Sequence, residues 1–172
     1  TPTEKGSAFH KVMQHLDIKE DLNEYDIKLQ LKDMVEKEHI TEEQIQFINI
    51  QWIVDFLKSD LAKRIIGGIN IKREVPFTIA LPLDRIYAET RQDVAIHESM
   101  LVQGIIDMLV EEDDGYIVVD FKTDKVIGNI QTLINRYKNQ INLYTEAVEM
   151  ITRKPVKERF LYLFDISKEI VI

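Results

Sequence analysis

The chain contains no cysteine. That excludes disulfides, cysteine-held zinc and iron–sulfur clusters from this segment. No run of about 18 apolar residues occurs, so there is no transmembrane helix. No signal peptide, internal repeat or low-complexity linker is visible. Basic residues are in deficit: 22 Lys and Arg stand against 30 Asp and Glu, for a formal net charge of −8 and a pI near 5.1. The deficit argues against a free-standing, high-affinity nucleic-acid binder, because phosphate contacts need Lys and Arg. It does not argue against a site that gathers acids around a metal. The chain opens on Thr1 rather than Met and reads as a piece of a longer one. These absences fit a cytoplasmic setting.

What is present suits one domain with a sizeable core: 172 residues, 45% hydrophobic and 30% charged. Apolar spacing predicts a helix over 4–16 with Thr3 as its N-cap, then a second over 26–38. Thr41-Glu42-Glu43-Gln44 is a capping box that opens a third, expected to run to Lys58. A short helix near 60–65 ends at Gly67-Gly68. The period then changes. Residues 71–81 read as a strand, with Pro76 marking an edge or a bulge. Residues 82–97 read as a loop. Two strands follow over 100–111 and 116–123, then a helix over 129–152 with Leu133, Tyr137, Ile141, Tyr144, Val148 and Ile151 inward. Residues 159–166 form a last strand, with Val171-Ile172 starting another. Helical residues 1–66 precede a sheet part, 67–172, that carries its own flanking helix. From this order alone the class is α+β or three-layer.

The most informative stretch is Gly104-Ile105-Ile106-Asp107, followed after a turn by Asp120-Phe121-Lys122. Strand interiors rarely carry charge without a reason. Glu112-Asp113-Asp114-Gly115 is a hairpin turn signal. A turn on Asp113-Asp114 sets Asp107 opposite Asp120, and a turn on Asp114-Gly115 sets it opposite Lys122. In either register the three charged groups converge on one face, unless a bulge breaks the parity. Two close carboxylates raise each other's pKa unless a cation sits between them. A hard divalent ion such as magnesium or manganese is the natural occupant. A lysine beside it can stabilise charge on a phosphate, which is the chemistry of metal-dependent phosphodiester hydrolysis. The plainer reading is a surface cross-strand pair worth a few tenths of a kcal/mol to about 1 kcal/mol.

Other residues are ambiguous singly. His10 lies on the first helix, one turn after Gly6, which is costly there by about 1 kcal/mol relative to Ala and suggests a close approach. His15, His39 and His97 read as solvated. Glu74 is either a salt-bridge partner of Arg73 or a carboxylate facing the metal. Gln140 and Tyr144 share a helix face, with Tyr137 one turn before, and could hold a phosphate or a base edge.

Taken together these residues resemble the RecB-family nucleases. Gly6-Ser7-Ala8-Phe9-His10 resembles that family's G-x-x-x-H motif, Gly104-Ile105-Ile106-Asp107 its G-I-I-D, Asp120-Phe121-Lys122 its D-x-K, and Gln140-Ile141-Asn142-Leu143-Tyr144 its Q-x-x-x-Y. Within the family, the opening Gly6–His10 segment and Glu74-Val75-Pro76 look like the C-terminal nuclease domains of bacterial AddA (RexA) helicase–nucleases. The resemblance implies an α/β, restriction-endonuclease-like (PD-(D/E)xK) core with a central mixed sheet flanked by helices. It implies Mg2+, with Mn2+ or Ca2+ as substitutes, held by His10, Asp107, Asp120 and the Phe121 backbone carbonyl. Asp107, Asp120 and Lys122 would be catalytic. Gln140, Tyr144 and Tyr137 would contact DNA, and Glu74 and Gly6 would be auxiliary. It further implies an exonuclease acting in double-strand-break repair by homologous recombination on an unwound single strand, for this branch the 3′-terminated one, beside an AddB-type partner in a bacterial cytoplasm. AddB-type relatives hold an iron–sulfur cluster on four cysteines, and the cysteine-free composition fits the AddA branch. The chain has no G-x-x-x-x-G-K-[ST] phosphate loop, so the helicase motor and its ATP dependence belong elsewhere in a parent chain. Two rival readings are a stand-alone phage- or CRISPR-type nuclease of the same family, and a catalytically silent domain that binds DNA or a partner.

Overall fold

The computed structural model of the chain describes residues 2–82 and 99–172. The expected loop over 82–97 falls almost wholly outside the described residues, and so does His97. Four helices and a single helical turn come first: α1 (Pro2–His15), α2 (Glu24–Glu36), the turn α3 (Glu42–Ile45), α4 (Ile50–Leu57) and α5 (Asp60–Ile66). Then come β1 (Asn70–Pro82), β2 (Ser99–Glu112), β3 (Gly115–Lys122), α6 (Ile130–Thr152), β4 (Val156–Leu163) and β5 (Lys168–Val171).

Local chemistry accounts for most element ends, and for the departures from expectation. α1 starts at Pro2, so Thr3 lies inside the first turn and does not cap it. Proline suits that place because its φ is preset and its missing N–H is unneeded there. α2 starts earlier than predicted because the Asn23 side chain accepts from the Tyr25 and Asp26 amides in a full capping box. The Thr41 capping box is present, but the expected single helix to Lys58 is broken. Asn49 starts a new helix, accepting from the Gln51 N–H, after the chain tightens through Phe47 and Ile48. A competing side-chain cap beats helix continuation there. On α6, Leu133, Ile141, Tyr144 and Val148 are buried as expected, whereas Ile151 is 59% exposed. The predicted last strand ends at Leu163, where a 3-10 turn over Phe164–Ile166 takes over. His15 and His39 are stacked face to face with ring centroids 3.8 Å apart rather than separately solvated.

The described residues form one mixed five-stranded sheet in the order β1-β2-β3-β4-β5. Only β3 and β4 are parallel, and α6 is the crossover between them. The class is therefore three-layer α/β. α1, α2, α4 and α5 bury Phe9, Ile27, Phe56 and Leu61 against one face, where Val119, Phe121 and Tyr162 meet them. α6 buries Tyr144, Ala147 and Val148 against Phe77, Ile106 and Val118 on the other. β3 is covered on both faces, so its run Gly115–Phe121 is wholly buried and almost continuously apolar. Asp120 is the exception in that run, at 0% exposure.

Two strands change layers midway. On β1, Ile71 packs into the α1 side, but Val75, Phe77, Ile79 and Leu81 pack into the α6 side. On β2, Met108 and Val110 belong to the α1 side and Ile106 to the α6 side. All of these share parity within their strand, so regular alternation has been reversed at Glu74 and Asp107. Glu74 has φ 49, the left-handed region that a non-glycine residue rarely adopts. The ladder holds its register across the break, with Arg73↔Met108 on one side and Val75↔Ile106 on the other. Glu74 therefore lies across from Asp107 at the crossing point.

Gly104 has a packing reason. It pairs with Phe77, and a Cβ added there would fall 2.6 Å from two Phe77 ring carbons. That ring is boxed edge-on by Tyr144 at 5.7 Å and cannot swing freely. Gly104→Ala should destabilise the fold by about 1–3 kcal/mol from overpacking, more than the roughly 0.5–1 kcal/mol that alanine regains in backbone entropy. Thermal unfolding checks it: a fall of several degrees is expected, with part of it recovered in a Gly104→Ala/Phe77→Leu double variant. An unchanged midpoint would show the ring to be free.

Candidate metal centre and catalytic lysine

The hairpin register is the one that the Asp113-Asp114 turn predicts. β2 and β3 pair from Glu112↔Gly115 to Met108↔Val119. One step further sets Asp107 across from Asp120, where the two strands diverge. Asp107 uses the opening: its Oδ2 accepts from the Phe121 N–H at 2.7 Å. Phe121 itself buries its ring in the α1-side core.

His10 arrives from the helical layer. Its Nδ1 lies 3.3 Å from Asp107 Oδ1. The placement depends on Arg73, whose guanidinium donates to the carbonyls of Met13, Gln14 and Leu16 at the end of α1. Arg73 thus ties α1 to β1 one residue before Glu74, and its expected surface pairing with Glu74 is replaced by this cap. Gly6 stands one turn before His10, and a Cβ there would meet Thr123 Oγ1 at 3.4 Å, an ordinary contact.

Among the described residues, His10, Glu74 and Asp107 offer one ligand atom each within 4.8 Å of one another. Asp120 stands beside this group rather than in it. Its Oδ1 accepts from Lys122 Nζ at 3.1 Å, and its Oδ2 is 2.8 Å from the same nitrogen. That Oδ2 is buried with no donor in hydrogen-bonding line. Glu74, weighed as an auxiliary in the sequence, is therefore geometrically as central as His10.

The electrostatics are those of a site short of positive charge. Burial pushes the Asp120 carboxyl well up, Lys122 opposes the rise, and Asp107 adds to it. Glu74 is raised by burial and then by the charge of Asp107. Burial alone would lower His10, but its hydrogen bond to Asp107 and that residue's charge outweigh it, leaving a net rise. Tyr144 is raised by burial first, then by Asp120 and Asp107. A divalent cation fits this donor set on three counts. The ligand atoms are hard carboxylate oxygens and a borderline imidazole. Their mutual repulsion falls when a cation joins them. An unfilled buried acceptor, Asp120 Oδ2, lies alongside.

On α6, the Gln140 amide donates to the Tyr144 hydroxyl, so the predicted pair does share a face near the acids. Tyr137 differs. Its hydroxyl donates to Asp124 Oδ2 at 2.9 Å, and its ring carries the Lys122 ammonium 4.4 Å from the centroid. Arg73 and Asp124 went unrecognised in the sequence. Asp124 had one signal, its place two residues after Lys122, whereas Arg73 had none.

Comparison with known proteins follows the same line. The sequence profile of the PD-(D/E)XK nuclease superfamily matches residues 1–170. The chain is 45% identical over 172 residues to an AddA-type ATP-dependent helicase/nuclease of Clostridium botulinum (strain Loch Maree / Type A3), covering all of this chain and 13% of that one. It is 47% identical over 165 residues to the protein of the same name from Thermoanaerobacter sp. (strain X514), covering 95% and 13%. The chain thus spans about an eighth of the length of these relatives. A solved structure, "Crystal structure of SSO0001", aligns with TM-score 0.39 and 13% identity over 96% of this chain and 64% of that chain.

Proposed function

The chain belongs to the PD-(D/E)XK nuclease superfamily, and from that premise we propose that it is the metal-dependent nuclease domain of a longer, AddA-type ATP-dependent helicase–nuclease. The observation that carries the reading is the meeting of His10, Glu74 and Asp107 from two layers beside the Asp120–Lys122 pair. The identity to AddA-type helicase/nucleases supports the parent type. By the same likeness the activity would be exonucleolytic, on the 3′-terminated strand delivered by unwinding. The setting would be double-strand-break repair by homologous recombination in a bacterial cytoplasm, beside an AddB-type partner.

Magnesium would be held by His10, Asp107 and Asp120, with Glu74 and the Phe121 carbonyl as further ligands, and would supply Lewis-acid charge at the scissile phosphate. The residues have distinct parts. The Phe121 amide orients Asp107 by occupying Oδ2, which leaves Oδ1 toward His10. Lys122 would offset the negative charge that grows on the phosphate oxygens in the transition state. Gln140 and Tyr144 would contact the strand, since they lie on the face of α6 that looks onto the acids.

The test is cleavage of an end-labelled single DNA strand at low salt, with Mg2+ and with chelator. Metal-dependent shortening is expected. It should be weak and salt-sensitive, because a chain of net charge −8 has few phosphate contacts. The slope of log K against log salt should be about −0.7 per contact. Binding without cutting in either Mg2+ or Mn2+ would overturn the nuclease reading in favour of a silent binding domain.

A further inference from the structure

Lys122 needs something to hold it. A lysine has a long flexible stem and a compact charge, and disorder in it spreads that charge over a wide volume. In the structure its ammonium is gripped from two sides. One side is the Asp120 carboxylate at 2.8 Å, and the other is the face of the Tyr137 ring at 4.4 Å. The ring is itself fixed. Its hydroxyl donates to Asp124 Oδ2 at 2.9 Å, and Asp124 also lies 3.7 Å from Arg136. Asp124 sits two residues past Lys122, in the connection between β3 and α6, so this contact spans the start of the crossover.

We propose that Tyr137 is the positioning residue for Lys122, its ring a platform for the ammonium and Asp124 the latch on its hydroxyl. This rests on the nuclease reading above and gives Tyr137 a role other than the strand contact expected from its helix spacing. The two grips are not equivalent. A carboxylate that also serves a cation has less charge to offer the lysine, so the Asp120 grip weakens when the site is loaded. An aromatic face keeps its attraction for a cation whatever the state of the carboxylate. The ring is therefore the restraint that persists when the lysine must act.

Two measurements on the 172-residue chain decide the matter. The first needs no cleavage. Protons on the Lys122 ε-methylene lie over the ring and should be shifted upfield in the NMR spectrum. The shift should survive in Tyr137→Phe, vanish in Tyr137→Leu and shrink in Asp124→Ala. An unchanged Lys122 resonance in Tyr137→Leu would overturn the contact itself. The second is kinetic, at low salt. Tyr137→Leu should lower kcat about 5- to 30-fold at unchanged KM for the strand, the range that a desolvated cation–π contact supplies. Tyr137→Phe should keep most of the rate. A raised KM at full kcat would make Tyr137 a strand contact, and a Phe variant as poor as Leu would make the hydroxyl decisive. Either result overturns the platform. A wild-type chain that cuts nothing would instead count against the nuclease reading, and the NMR arm would still decide what holds Lys122.

Discussion

Lys122→Ala should lower strand cleavage by about 100- to 1,000-fold, the cost of removing a preorganised donor of this kind. The lysine does little for the ground state of a loaded site, where it is a cation beside a cation. It matters when the phosphate gains charge. Metal binding should therefore persist or tighten slightly. A second signature follows from burial. Asp120 is at 0% exposure, and removing its one ion-pair partner leaves a carboxylate uncompensated in the interior. The metal-free variant should thus unfold at a lower temperature than the wild type, and Mn2+ should restore more of its midpoint than it adds to the wild type. Cleavage at the wild-type rate would reduce Lys122 to a strand charge and sink the catalytic reading of Asp120-Phe121-Lys122.

Asp107→Asn should abolish both divalent-ion binding and cleavage while leaving the fold intact. Asparagine keeps an oxygen to accept from the Phe121 N–H, so the buried amide stays satisfied. It removes the charge that the ion and His10 both face. Asp107→Ala removes both, and should also cost about 1–3 kcal/mol for the orphaned donor. The loss of Mn2+ affinity in either variant should exceed the roughly 10- to 100-fold that outer-shell partners contribute. Calorimetric titration separates the ligand role from the structural one. If Asp107→Asn and Asp120→Ala bind Mn2+ as the wild type does, the ion is held elsewhere.

Several features of the site could be read along the chain because the signals are local. The Glu112–Gly115 turn determines the hairpin register, and that register sets Asp107 across from Asp120. Helical spacing places Gln140 under Tyr144. Other features could not be read this way. Parity predicts one face for all of β2, yet Ile106 and Met108 pack into opposite layers. Glu74 looked like a surface partner of Arg73, yet Arg73 turns to the carbonyls at the end of α1 and leaves Glu74 to the acids. Tyr137 looked like a neighbour of Gln140, yet its hydroxyl and its ring face are both occupied by residues from the end of β3 and the turn beyond it.

The sequence by itself determined the element types, the caps, the turn and the identity of the charged groups, because each depends on residues within a few positions of one another. Only the tertiary structure decided which of those groups meet. β1 and β2 cross from one layer to the other at Glu74 and Asp107, which lets one carboxylate reach a helix on the α1 side while facing Asp120 on β3. His10 lies 97 positions from Asp107, and no local propensity encodes a distance of 3.3 Å between them. That distance comes from the packing of α1 on the sheet, from the Arg73 cap that holds its end, and from the twist that opens the strands where the charges converge.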